Sequence, residues 1–320
     1  MDDIIHHHPV SLVGSISTTL HACSIETYRR RHSSSSVDNP VFLCGTYQLN
    51  EGNVIEQNDD TTAPTVQMQQ SHVGELLFIR FNLLTGESTV LHSISFSSAG
   101  ILDMKVVSDH LVIALSSGYL EVYHIESLES GCIHVPMVGR IGDESEGFYL
   151  SLDVDLRLSL DRCWKENTLI AVSTQMGSIM VYRYTAGAED VDHSLSLVHR
   201  ICRAHTLFNG VMPVWICVFD AHACNDCKSS IHLLSGGDDC LLKLWELSLS
   251  NEEEEDDLMS SHRLQSSSKT ALAGVTSAEW HPTVRDLFAT GSYDECVRIW
   301  DHRSIRSGPL LELSTGALNC

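Results

Sequence analysis

Two segments of this chain reach a tryptophan by the same route. Ser235-Gly236-Gly237-Asp238-Asp239-Cys240-Leu241-Leu242-Lys243-Leu244-Trp245 passes through a turn into alternating apolar residues. Thr290-Gly291-Ser292-Tyr293-Asp294-Glu295-Cys296-Val297-Arg298-Ile299-Trp300-Asp301 does the same. Glycine and aspartate accept the backbone of a tight hairpin, and the alternating Leu, Val and Ile positions give a strand one buried face. An aspartate, Asp239 or Asp294, stands six positions before each closing tryptophan. Three weaker copies come earlier: Val41–Thr46 continued by Gly74–Phe81, then Leu111–Tyr123, then Leu169–Tyr182. In these, Gly74, Gly118 and Gly177 stand five positions before Ile79, Tyr123 and Tyr182, and the five closing residues are spaced 44, 59, 63 and 55 apart. Self-similarity on this scale means that each copy is one small sheet that buries its apolar faces only by stacking on its neighbours.

The Trp300-Asp301 pair and the turn pattern resemble the WD-repeat family, whose blades recur about every 40–45 residues. The resemblance implies an all-β fold, a WD-repeat β-propeller with about five recognisable blades of an expected seven, and so an incomplete ring. The blade units end near 82, 126, 185, 248 and 303 within a propeller spanning 19–313. Residues 1–18 read as a flexible N-terminus and 314–320 as the start of a truncated next blade. Polar stretches at 50–71 and 249–270 read as loop inserts, the second carrying the six consecutive acids Glu252–Asp257.

Charge narrows the partners. With 42 acidic against 20 basic residues the formal net charge is −22, which opposes nucleic-acid phosphates and anionic lipids and favours a basic protein. No run approaches the roughly 18 apolar residues of a membrane helix, and the acidic N-terminus lacks a signal-peptide pattern. A soluble cytoplasmic protein is expected, and its 11 cysteines, odd in number and irregular in spacing, read as free thiols rather than a disulfide framework.

Standard catalytic signatures are absent from the sequence: no nucleophile elbow, phosphate-binding glycine loop or His-Glu-x-x-His occurs. Cys224 and Cys227 have zinc-like spacing with His222 and His232 nearby, but all four fall within eleven residues where a hairpin turn belongs. An ordinary polar turn is the expectation there, and no metal or cofactor is assigned. His6-His7-His8 reads as part of the N-terminal tail. Asp239 and Asp294 are expected to cap their own turns. Asp238 and Tyr293 are spare to that task, and Trp215 lies in an apolar innermost-strand pattern, Pro213–Phe219, facing the channel. Trp280-His281-Pro282 resembles the end of such a strand.

Three blocks carry a narrower resemblance: Cys44-Gly45-Thr46-Tyr47-Gln48-Leu49, Ser235–Leu242 and Ala289–Glu295. Together with Trp215, Ile216 and Phe219 they resemble the diphthine methylesterase family of diphthamide biosynthesis, also called diphthine methyltransferase. Pro213 departs from the acid that the family tends to carry there. The resemblance implies a hydrolase that removes the methyl ester from methylated diphthine, a modified histidine of elongation factor 2, with release of methanol. It also implies a cationic, trimethylammonium-bearing substrate, for which Trp215, Asp238 and Tyr293 are the candidate holders. Ester hydrolysis needs a base and an oxyanion donor, and His205 and His281 are the candidate catalytic histidines. A non-catalytic WD-repeat scaffold that binds proteins through its rim is the alternative.

Overall fold

A computed structural model describes residues 17–28, 39–51, 70–129, 132–155, 168–185, 194–220, 222, 230–248 and 261–316. The N-terminal tail with His6–His8, most of the 50–71 insert, Cys224, Cys227 and the Glu252–Asp257 run lie outside them. The described residues form five antiparallel four-stranded sheets. Blade 1 is β1 (His21–Tyr28), β2 (Val41–Glu51), β3 (Gln70–Phe81) and β4 (Ser88–Phe96). Blade 2 is β5 (Ile101–Val107), β6 (His110–Leu115) and β7 (Tyr119–His124). The ribbon β8 (Ser127–Glu129) and β9 (Cys132–His134) follows, and β10 (Met137–Gly142) completes the blade. Blade 3 is β11 (Tyr149–Val154), β12 (Thr168–Thr174), β13 (Ile179–Thr185) and β14 (Ser194–Ile201). A two-residue ribbon, β15 (Thr206–Leu207) with β16 (Gly210–Val211), leads into blade 4. That blade is β17 (Val214–Phe219), β18 (Ser230–Gly237), β19 (Leu242–Ser248) and β20 (Ser261–Ser268). Blade 5 is β21 (Val275–Trp280), β22 (Leu287–Ser292), β23 (Cys296–Asp301) and β24 (Leu311–Ser314).

Ser261–Ser268, expected inside a loop insert, is the outermost strand of blade 4. Its polar sequence fits an edge position: it pairs with β19 from Ser248↔Ser261 to Leu242↔Ser268, and its first four residues are exposed. The closing residues do occupy equivalent places. Phe42↔Ile79, Leu111↔Tyr123, Ile170↔Tyr182, Leu233↔Trp245 and Phe288↔Trp300 are the matching cross-strand pairs of the five blades.

Apolar side chains fuse each blade to the next. Leu43, Leu76 and Phe78 of blade 1 pack with Ile101, Met104 and Ile113 of blade 2, and similar clusters join blades 2 and 3, 3 and 4, and 4 and 5. The innermost strands β1, β5, β11, β17 and β21 pack side by side in that order, with no packing of comparable extent between β21 and β1. Among the described residues, then, the five blades take the ring arrangement of a propeller, its weakest junction lying between the fifth and the first, and Ile25 on β1 is 65% exposed.

Candidate functional site

At one rim of the propeller the turns after the second strand of each blade meet the loops that enter the first. The β18–β19 turn closes with Cys240 N–H donating to Gly237 O at 3.2 Å, and the β22–β23 turn closes with Glu295 N–H donating to Ser292 O at 3.2 Å. Cys240 and Glu295 adopt φ of 61° and 62°. The third residue of each turn faces inward. Asp239 Oδ1 accepts from Leu241 N–H and Asp294 Oδ1 from Cys296 N–H, both at 3.1 Å. The second residue, Asp238 or Tyr293, is thereby left to face the rim.

Trp215 comes to meet them. The register of β17 against β18 shifts between Val214 and Ile216, so Trp215 falls on a bulge and out of the ladder. Its indole N–H donates to Asp238 Oδ1 at 2.6 Å. The Tyr293 ring stands edge-on to it, with centroids 6.2 Å apart at 86°. Gly274 makes room for this group, because a Cβ there would lie 2.6 Å from Asp238 Oδ1 and 3.4 Å from Tyr293 Cδ2. Asp238 and Trp215 are half-buried, whereas Tyr293 is 63% exposed. Among the described residues Asp238 Oδ2 and the Tyr293 hydroxyl have no hydrogen-bond partner. Two aromatic rings beside a carboxylate with one free oxygen form a surface suited to an organic cation.

The two histidines expected as bases are placed differently. His205 is fully buried. Trp245 N–H donates to Ser235 Oγ at 2.8 Å, Ser235 O–H to His205 Nε2 at 2.7 Å, and His205 Nδ1–H to Asp239 Oδ1 at 2.6 Å. Lys243 Nζ completes the chain by donating to Asp239 Oδ2 at 3.1 Å. Burial holds the His205 pKa below its ordinary value, with Asp239 pulling the other way. Both ring nitrogens are engaged inside the blade, so His205 ties loop to turn. His281 follows the last residue of β21, at the end of the blade opposite the rim. There its Nδ1 accepts Thr283 N–H at 3.2 Å and Val284 N–H at 2.8 Å. It is not brought to Trp215.

Asp239 and Asp294 hold their turns by different means. Burial opposes ionisation of Asp239, but His205 and Lys243 more than offset it and keep the carboxyl below its usual range. In blade 5, where no histidine serves, Arg298 grips Asp294 bidentately at 3.1 and 2.8 Å and holds its pKa well below the usual carboxylate range.

A charged layer inside the channel was not foreseen from the sequence. Once the bulges are aligned, Glu26, Lys105, Asp153, Val218 and Glu279 occupy one level of the five innermost strands. Lys105 Nζ lies 3.7 Å from Glu26 Oε1. Asp103, one level nearer the rim, accepts Leu152 N–H at 2.8 Å, and Asp153 accepts Phe219 N–H at 2.8 Å. Each carboxylate thus staples its blade to the next. Burial pushes the Asp153 carboxyl up to about 7, against the pull of Lys105.

The Gly45-Thr46-Tyr47 block has a local account too. Thr46 Oγ1 accepts Glu75 N–H at 2.7 Å where the β2–β3 ladder is interrupted. Tyr47 lies over Gly100, where a Cβ would approach its ring to 2.3 Å. It stacks on His72 at 5.6 Å, and Phe148 meets His72 edge-on at 4.9 Å.

No protein-family profile matches the chain. Among curated proteins it is 31% identical over 299 residues to the diphthine methyltransferase homolog of Dictyostelium discoideum, covering 86% of this chain and 70% of that protein. It is 25% identical to the diphthine methyltransferase of Mus musculus, covering 91% of this chain and 53% of the relative. To that of Homo sapiens it is 24% identical, covering 83% and 54%. The chain therefore spans about half the length of the two mammalian relatives. Among solved structures, a chain of the mitotic checkpoint complex aligns with a TM-score of 0.48 at 15% identity, covering 77% of this chain and 63% of that one.

Proposed function

Because the chain belongs to the diphthine methyltransferase family, we propose that it acts in diphthamide biosynthesis as a carboxylic ester hydrolase. Its substrate in this reading is methylated diphthine on elongation factor 2, and its setting the cytoplasm. No helix of the described residues is long and apolar enough to cross a membrane. The observation that carries the reading is the Trp215–Asp238–Tyr293 cluster at the rim. A trimethylammonium group has no N–H to donate, so a protein recognises it by aromatic faces and by charge rather than by hydrogen bonds. Trp215 and Tyr293 supply the faces, and Asp238 the charge.

The same cluster offers the elements of ester hydrolysis. Asp238 Oδ1 is fixed by the Trp215 indole, which leaves Oδ2 to pair with the cation or to orient a water against the ester carbon. The Tyr293 hydroxyl is the donor available to a developing oxyanion. Attack of water on the ester carbon and loss of methoxide, protonated to methanol, leaves the free carboxylate. The net charge of −22 suits a basic partner.

The deciding experiment incubates the purified chain with elongation factor 2 carrying methylated diphthine and follows the modified peptide by mass spectrometry. Loss of one methyl group with release of methanol is the expected result. Intact ester in the presence of stable complex formation would establish the alternative, a non-catalytic scaffold, in its place.

A further inference from the structure

A second cluster lies at the end of blade 2 opposite the rim, and the catalytic reading does not use it. The β5–β6 hairpin turns through Ser108, with φ of 60°, and delivers Asp109 and His110 in succession. His110 opens β6, and its cross-strand partner on β7 is His124. The two imidazoles stack, with centroids 4.8 Å apart at 15°. The Asp109 carboxylate bridges them: Oδ1 lies 2.9 Å from His110 Nδ1 and Oδ2 lies 3.3 Å from His124 Nε2. One donor atom from each residue falls within 4.8 Å of the other two.

Comparison within the molecule shows how particular this pair is. The equivalent cross-strand pairs of the other blades are Val41/Arg80, Leu169/Arg183, His232/Glu246 and Leu287/Asp301. Blade 2 alone of the five opposes two histidines, and it adds a carboxylate between them. Burial is graded as a metal site requires. The His110 side chain is 10% exposed and backed by the Tyr184 ring edge at 5.7 Å, while those of His124 and Asp109 are 32% and 49% exposed and leave a way in.

We propose that Asp109, His110 and His124 form a binding site for a divalent zinc-class cation, with one coordination position left to solvent. Two imidazole nitrogens and a carboxylate oxygen are a borderline donor set that favours Zn2+ over Mg2+ or Ca2+. The 2.9 and 3.3 Å contacts run through the two different oxygens of Asp109, and one donor atom from each residue lies within 4.8 Å of the other two, so a rotation of the carboxylate and the rings brings three donors to the roughly 3.3 Å spacing that bonds of 2.0–2.1 Å set around a tetrahedral ion. The ion takes the place of the hydrogen bonds the rings now make to Asp109, and the hairpin and cross-strand register keep the three side chains together while the rings turn out of their stack to aim at one ion. The ion would join the β5–β6 turn, β6 and β7 at the end of the blade away from Trp215, which makes its first role structural.

The test titrates the tag-free chain with Zn2+ by calorimetry and with Co2+ by visible spectroscopy, beside Asp109→Asn and His124→Gln. The expected result is one Zn2+ per chain and the visible bands of four-coordinate Co2+, without the near-ultraviolet charge transfer of cysteine ligation. Each variant should fold, as judged by circular dichroism, and bind Zn2+ more weakly than the roughly 10–100-fold loss typical of removing a partner outside the coordination sphere. Absence of the Co2+ bands, cysteine charge-transfer absorption, or equal affinity in the variants would each overturn the assignment.

Discussion

The indole N–H of Trp215 ends 2.6 Å from Oδ1 of Asp238, joining the bulge of an innermost strand to the β18–β19 turn of the same blade. That bond fixes one oxygen of the carboxylate and leaves the other, and it separates the roles of two adjacent aspartates. Asp238 faces the rim, and Asp239 faces the blade.

Asp238→Asn keeps the acceptor for Trp215 and removes the charge. With no buried ion pair lost, stability should change by no more than about 0.5 kcal/mol, as for surface substitutions generally. Turnover of methylated diphthine should fall roughly 10–100-fold, the scale of one charged hydrogen bond. Urea unfolding and kcat/KM on the same preparations check both halves. Loss of stability together with activity would reassign Asp238 to the turn.

His205→Ala and Asp239→Asn should behave in the opposite way. Each breaks the buried chain from Trp245 to Lys243, and Asp239 is 3% exposed. Removing one member of such a set costs about 2–4 kcal/mol, because its partners stay buried and unsatisfied. The measurement is the urea midpoint at constant slope. A His205 variant with wild-type stability and no activity would restore that histidine to catalysis.

The contrast shows what the sequence could and could not reveal. The repeat turns were legible because a hairpin is local: the residues of Gly237-Asp238-Asp239-Cys240 decide its shape, and Trp245 closes the strand that follows. Trp215 stood out as an aromatic residue in an innermost strand. The burial of His205 was not legible because its partners, Ser235 and Asp239, lie 30 and 34 residues away and meet it only when blade 3's exit loop folds over blade 4. The channel layer stayed hidden for a related reason. Glu26, Lys105, Asp153 and Glu279 share a level only after a bulge in each innermost strand is counted, and each bulge slips the phase of the period-two pattern by one residue. His110 and His124 are fourteen residues apart in sequence and directly opposed in the sheet.

Gly274→Ala tests the geometry rather than the charge of the rim. A methyl group 2.6 Å from Asp238 Oδ1 and 3.4 Å from the Tyr293 ring must displace one or both. Turnover should drop to about the level of Asp238→Asn, and the double variant should be little worse than either single one, since both remove the same arrangement. Additive losses would mean that Gly274 acts on something other than the Trp215–Asp238 pair.

Asp153 gives the channel a pH signature whose sign can be worked out. Its ordinary value is 3.8, and burial raises it to about 7 in the folded chain, so between those limits the folded state holds a proton that the unfolded state has released. The native state binds more protons there, and stability must fall as pH rises. The favourable contribution of the protonated carboxyl is complete below 3.8 and is lost as pH passes through about 7. Asp153→Asn keeps an oxygen for Phe219 N–H and has nothing to ionise. The variant should therefore gain on the wild type between pH 5 and pH 8, by on the order of 1–2 kcal/mol once channel water has screened the charge. Taking the difference between the two proteins cancels the histidines, among them His199, whose pKa burial and His262 lower to about 4 and which therefore destabilises the fold toward acid instead. A difference that stays flat across that range would show Asp153 already ionised at pH 5, with Lys105 rather than burial setting its charge.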